Sequence, residues 1–533
     1  MPRRSVAIAA LLAVGCGGES RPAGDAPLVL GYSVELQGLN PVLSTDQNAN
    51  ELIDYLLFTT LVRYDEEYRI APGLAQSWTL GPSGVVFRLH EDLRWHDGAP
   101  VTAEDVAFTF RLAKDPAAAS PLAAAYLSNV TGVEVLGPHA VRFTFDGPHS
   151  QPLEDFFWAP VPAHLLSRVP AAELARQPFN RRPVGNGPYR FVSWSVNQQL
   201  VFEANPDYPL SLGGPPAIRR IVYRIIPEST SLLAELLSGG IHVDGPVSPA
   251  DAPKIERAPG VRLFRFPWRQ FSYIGWNGRR PLFSDARVRR ALTMAIDRQA
   301  ILESVLEGFG RPAVGMIPPW HPYAPDLEPL PFDPDSASAL LRAAGWSDSD
   351  GDGVLDRAGR PFRFELLANQ RSPVYGDMVQ IIQAQLKRVG IDAVPRLLEW
   401  QTLLGLHRRR EFDAVLTNWV LDNFRVDPRV LFHGSQAALP SSANRSSYSN
   451  PRADSLMDLG VRTMDPAEAS RIWLEFSEII QNDQPLTFLF WQDELAGVSR
   501  KLAGVRMDAR GELVNVPQWR WRRPDAPPEE ASR

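Results

Sequence analysis

The sequence predicts a mixed α/β protein built on more than one sheet, and three observations lead there. Strand-like and helix-like segments alternate along the whole chain instead of gathering in separate blocks. The 49 prolines fix many turns and extended connections, which a bundle of long helices does not tolerate. A chain of 533 residues, 44% hydrophobic and 22% charged, has the composition of an ordinary globular protein. At about 150 residues per domain it divides into two to four domains.

The chain opens on MPRRSVAIAALLAVG, a basic tip at Arg3 and Arg4 followed by an apolar run too short to span a bilayer core of about 30 Å. A charged start, a short apolar stretch and then small residues spell a secretory signal over residues 1–15. The only cysteine, Cys16, follows Ala13-Val14-Gly15 at the cleavage point, which resembles a bacterial lipobox with alanine where leucine is usual. A conventional signal with an incidental cysteine is the plainer alternative. Residues 16–27 are polar and rich in Gly and Pro, as suits a tether.

Downstream, residues 85–90, 141–145, 189–194 and 221–226 alternate or run apolar and β-branched, as strands do. Residues 102–113 carry a threonine cap, acids in the first turn and an i, i+3, i+4 apolar stripe, so a helix is expected. Residues 285–303, 375–389 (closed by Gly390) and 467–481 show the same stripe. No later run of apolar residues is long enough to cross a membrane.

Charge and motif searches mostly exclude. A net charge of −6 offers no electrostatic footprint for nucleic acid. Of the 55 basic residues only Lys114, Lys254, Lys387 and Lys501 are lysine, a bias that fits genome composition better than function. One cysteine rules out disulfides within the chain and Cys-rich metal sites. Nucleophile elbow, zinc-protease, phosphate-loop and dinucleotide motifs are all missing. His90, His96 and Asp97 lie close together, but strand alternation ending in an Asp-Gly turn accounts for them more simply than a metal does. Asp348, Asp350, Asp352 and Asp356, with Gly353, follow the spacing of a calcium loop. Its twelfth position is Gly359, which lacks the usual bidentate carboxylate, so a structural calcium competes with a solvated Asp/Gly turn. No other cofactor is expected.

Ten blocks then add up to a family resemblance. PGLAQSW (from Pro72) and FRLHEDLRWHDGAPVTAEDVAFTF (from Phe87) are followed by VGNGPYRFVSW (from Val184) and EANPDY (from Glu203). IVYRIIPESTSLLAELLSGGIHV (from Ile221), FSDARVRRALTMAIDRQAIL (from Phe283) and LLRAAGW (from Leu340) continue the series. FDAVLTNW (from Phe412), YSNPRADSLM (from Tyr448) and IIQNDQPLTFLF (from Ile479) complete it. In this order they strongly resemble the extracytoplasmic solute-binding proteins of peptide and nickel ABC importers, solute-binding family 5.

The resemblance implies a two-lobed periplasmic-binding-protein-like α/β fold, class II and of the large type, with an additional small domain. Lobe I would comprise residues 28–48, 184–271 and 495–521, the small domain 49–183 and lobe III 272–494, with hinge strands near 271–276 and 488–494 and a disordered tail from 522 to 533. Ligand would be buried between closing lobes, and the closed monomer would dock on an ABC permease powered by a separate ATPase. The chain itself would not be an enzyme. It would be exported and held at the outer face of the cytoplasmic membrane, or in the periplasm, by lipid on Cys16.

Site residues follow from the same resemblance. Asp422, three residues after Trp419, matches the aspartate that meets a peptide's α-ammonium, although Asn418 replaces the usual glycine. A desolvated ammonium needs such a carboxylate; a loop aspartate facing water is the alternative. Arg371 occupies the place of an arginine that pairs with the ligand carboxylate, against a plain surface arginine. Trp419 would stack on the ligand, and Glu35 lies in a first loop that often touches it. Asp422 and Arg371 together favour a zwitterion, a di- or oligopeptide. A sugar, a nickel chelate, or a sensory or chaperone-like role on the same fold are the alternatives.

Overall fold

In the computed structural model the described residues are 26–523, except 422 and 441. The signal sequence, Cys16, most of the tether, Asp422 and the tail from 524 onward lie outside them.

Two long strands, Val261–Trp276 and Leu486–Ser499, organise everything else. They pair antiparallel, but the register shifts between Pro267 and Phe271 and again between Ser272 and Tyr273. Proline cannot donate to a ladder, and the extra residues bend and twist the strand that carries them. On one flank the sheet continues through Val243–Asp244, Leu28–Tyr32, Arg220–Ile225, Gln199–Ala204 and Tyr189–Ser195. On the other it continues through Ala414–Val420, Arg363–Asn369 and Asp392–Leu398. Each flank is one lobe, and the fold is a two-lobed α/β architecture.

Parallel pairing within each lobe requires crossover helices. Arg220–Ile225 and Val243–Asp244 both lie parallel to Leu28–Tyr32 and are joined through the helix Ser229–Ser238. In the second lobe Arg363–Asn369 and Asp392–Leu398 are joined through the helix Pro373–Lys387. Ser372 caps that helix by accepting the Tyr375 N–H, and Gly390 follows its end at φ +77°, where a side chain would be strained.

A smaller antiparallel sheet, in the order Ala75–Gly81, Gly84–Leu89, Ala140–Phe145, Val130–Gly137, sits outside the large one. The helix Ala103–Lys114 packs on it and starts with a Thr102–Asp105 capping box. This small sheet does not have a core of its own: Phe87, Phe143 and Phe156 belong to the same apolar cluster as Leu30, Tyr223 and Trp519 of the first lobe. Among the described residues the second lobe buries three clusters, one around Trp276, Leu366 and Ile382, one around Phe271, Phe432, Trp473 and Phe488, and a small one of Leu367, Leu403, Phe412 and Val415.

One expected element is two. The apolar stripe over residues 285–303 divides into Ala286–Met294 and Arg298–Leu306. Asp297 sits mid-stripe and accepts the Ala300 N–H, capping a new helix instead of continuing the old one.

Candidate functional site

The family-like blocks of the first lobe hold structure together. Gly185 and Gly187 lie so close to the carbonyls of Leu57 and Leu56 that a Cβ would sit 1.9 and 2.5 Å from those oxygens. Asn186 between them accepts the Thr59 N–H at 2.8 Å. His96 closes the arrangement: its Nδ1 accepts the Gly185 N–H at 3.2 Å, so Nε2 carries the proton and donates to the Gly187 carbonyl at 3.0 Å. Burial drives the His96 pKa down to about 4, which keeps the ring neutral. His96 is therefore a strut, and His90 and Asp97 do not join it in a metal cluster among the described residues.

The candidate site lies where the two lobes meet, at the bulged crossing of the long strands. A chain of side-chain hydrogen bonds spans it. Tyr375 of the second lobe donates to Asn418 Oδ1 at 3.1 Å, Asn418 Nδ2 donates to Gln270 Oε1 at 3.0 Å, and Gln270 Nε2 donates to Gln492 Oε1 at 2.9 Å. Gln270 and Gln492 then form one wall of a cavity of about 360 Å³, whose other walls include Tyr32, Trp268, Glu51 and Glu512. Tyr32 stacks on Tyr223 with ring centres 4.4 Å apart and donates to Glu512 Oε2 at 2.7 Å.

Electrostatically this cavity is acidic. Glu51, from near the start of the chain, and Glu494 and Glu512, from near its end, converge on it. Burial, and next repulsion from Glu512, push the Glu51 carboxyl up to about 8, while the Leu513 N–H and Arg269 pull the other way. Burial likewise carries Glu512 to about 7 against the hydrogen bond from Tyr32, and lifts Glu494 well above the usual carboxylate range, helped by Glu512 and Glu51. None of these three was singled out from sequence. The signal that could have found one is Gln492-Asp493-Glu494, three polar residues inside an otherwise apolar, buried strand.

The residues singled out from sequence fall in different places. Asn418 is in the hydrogen-bonded chain just described. Trp419 is half-buried beside it on the same strand, opposite Phe271, and packs against the second lobe's core. Arg371 is exposed; the Glu399 carboxyl is lowered chiefly by the Gln401 and Thr402 N–H groups, with a smaller pull from Arg371. Glu35 is turned towards the first lobe: Oε1 accepts from Trp194 Nε1 at 3.0 Å, and Oε2 accepts from the Asn197 N–H. Both carboxylate oxygens hold the hairpin formed by Tyr189–Ser195 and Gln199–Ala204, and Glu35 is not among the described residues that line this cavity. Asp422 lies outside the described residues.

The Asp-rich loop brings together three of its four carboxylates. Asp348, Asp350 and Asp352 come within 4.8 Å of one another, all exposed. Asp356 does not complete the set; its carboxylate accepts from the Ser349 N–H and Oγ at 2.8 and 2.6 Å. The remaining three carboxylates already accept loop N–H groups, Asp348 from both Gly351 and Gly353.

Away from the crossing, a second set of contacts closes the lobes on each other. Phe424 meets Tyr64 edge-on at 4.5 Å and Trp320 at 5.2 Å, and Tyr68 leans on both. Its neighbour Arg425 donates to Asp155 Oδ1 at 2.5 Å. Asp155 is completely buried and also bonds His149 Nε2 at 2.8 Å.

This geometry can be set beside known proteins. The profile of bacterial extracellular solute-binding proteins, family 5 (middle portion), matches residues 69–438. The oligopeptide-binding protein AppA of Bacillus subtilis is 31% identical over 515 residues, 94% of this chain and 92% of AppA. The structure of AppA in complex with a nonapeptide superposes with a TM-score of 0.76 at 29% identity, covering 93% of this chain and 99% of AppA's. NikZ of Campylobacter jejuni, in complex with Ni(L-His), shares the fold with a TM-score of 0.78 at 24% identity, covering 94% of this chain and all of NikZ's. Among the described residues no helix is long and apolar enough to cross a membrane. With two lobes, a polar cavity at their crossing and a profile match over most of its length, this chain belongs to the bacterial extracellular solute-binding proteins of family 5, substrate-binding transport proteins and not enzymes.

Proposed function

We propose that the chain captures a di- or oligopeptide between its two lobes and delivers it to an ABC permease whose separate ATPase drives import. The observation that carries this reading is the cavity at the lobe crossing, in a chain whose 31% identity to an oligopeptide-binding protein extends over nearly its full length. Closure would follow from ligand contacts made only when both lobes touch the peptide. The crossing strands serve as hinge, and Asn418 offers a polar group from the second lobe. Lipid on Cys16 would hold the protein at the membrane; labelled palmitate should be incorporated by the native chain and not by Cys16→Ser.

The deciding experiment is a thermal-shift screen of residues 17–533 against short peptides, sugars and nickel–histidine. A ligand that binds only the folded chain must raise the melting temperature, by about 2.7 kcal/mol of stabilisation at a hundredfold excess over Kd. Peptides should shift it and the other two classes should not. Shifts confined to sugars or to nickel–histidine would replace the peptide reading with that ligand class.

A further inference from the structure

The cavity at the lobe crossing has a charge pattern that the capture of a plain peptide backbone does not use. Among the described residues its lining contains four carboxylates, Glu51, Asp493, Glu494 and Glu512, and no lysine, arginine or histidine. Asp493 is answered by Arg265 at 2.5 Å. The other three are not matched one for one. Arg269 attracts Glu51, Glu494 and the nearby Asp54 together. Glu512 is 4% exposed; its Oε2 is bonded to Tyr32, while Oε1 is buried with no hydrogen-bond partner among the described residues. Glu494 Oε2 is in the same condition. A buried carboxylate oxygen without a donor is costly, by about 1–3 kcal/mol or more, and a cluster of them is stable only in company with positive charge or protons.

Two features define what could supply that charge. The three glutamates do not bring their oxygens within coordinating distance of one another; among the described residues only the distant Asp348 loop does so. A bare metal ion therefore cannot gather them, whereas a group that spreads several N–H donors can reach more than one. The volume, about 360 Å³, is at the small end of the range of about 300–1,000 Å³ for ligand sites, so it admits one side chain and not a whole oligopeptide. Trp268 forms part of the wall, and its ring already carries a flat cation, the Arg269 guanidinium 5.6 Å from its centre.

We propose that this cavity receives a cationic side chain, a guanidinium or an ammonium, of the peptide bound between the lobes, with Glu494 and Glu512 as its acceptors. This selectivity rests on the peptide reading above and adds to it a preference for basic peptides.

The test is calorimetry with pentaalanine peptides in which one arginine is moved through the five positions, each matched by a peptide carrying citrulline, its neutral isostere, and with free arginine alongside. In at least one register the arginine peptide should bind tenfold or more tightly than its citrulline partner. Glu494→Gln, which has no hydrogen bond at Oε2 to lose, and Glu512→Gln, which keeps an acceptor for Tyr32, should each shrink that ratio. Equal affinities in every register overturn the proposal while peptide capture stands. An arginine preference that survives both variants overturns the assignment to this cavity. Binding of free arginine but of no peptide, sensitive to Glu494→Gln, supports the cation site and overturns the peptide reading instead.

Discussion

Glu51 shows how much a single buried group can say. Its carboxyl is raised to about 8 in the folded chain, chiefly by burial and then by Glu512, against about 4.3 when unfolded. Between those values the folded state holds a proton that the unfolded chain has released, so its contribution to stability falls as pH rises through that window. Glu51→Gln keeps an acceptor for the Leu513 N–H and removes the titration. The variant should melt higher than the native chain at pH 8 and at the same temperature at pH 4; equal melting curves at pH 8 would show that Glu51 is not held neutral. At this scale the sequence was only partly legible. Asn418 could be named because it adjoins a recognisable Trp, and it does join the hydrogen-bonded chain. A loop's neighbourhood does not tell which way the Glu35 side chain turns. Glu51, Glu494 and Glu512 were invisible because they meet only after folding brings the start of the chain to its end.

Among elements, the strands over 85–90, 141–145, 189–194 and 221–226 were readable to within a residue or two, since alternation is imposed by burial on one face. The helix over 285–303 was not, because an apolar stripe cannot reveal that a mid-stripe aspartate starts a second helix. The turn Val184-Gly185-Asn186-Gly187 looked like a family signature, and its physical content is close approach of backbones. Gly187→Ala would place a Cβ 2.5 Å from the Leu56 carbonyl oxygen and should cost about 1–3 kcal/mol. Gly137→Ala, where nothing lies within 4 Å, is the control and should leave the denaturation midpoint in place. Comparable losses in both would sink the packing argument.

For the whole molecule, the aromatic and ionic contacts around Phe424 and Arg425 are the means by which the small sheet's domain grips the second lobe. Arg425→Ala leaves Asp155, fully buried, with His149 alone. Removing one partner of a buried ion pair costs about 3–5 kcal/mol, and here the loss falls on an interface between lobes. Small-angle scattering should show a larger radius of gyration for the variant than for the native chain, with peptide restoring the compact value; an unchanged radius would mean that closure does not depend on this pair. The two-lobed plan itself was legible only through the family's blocks, since periodicity reports elements and not which strands cross between lobes.

That crossing has a consequence for how the molecule comes into being. In the central pair of strands Gly275 faces Leu486 and Val261 faces Ser499, partners more than two hundred residues apart in the chain. Such pairings close last, because the entropy of so large a loop must be met before any contact rewards it. Neither lobe can complete its sheet until the final stretch of polypeptide has been made, so the nascent chain spends its synthesis uncommitted.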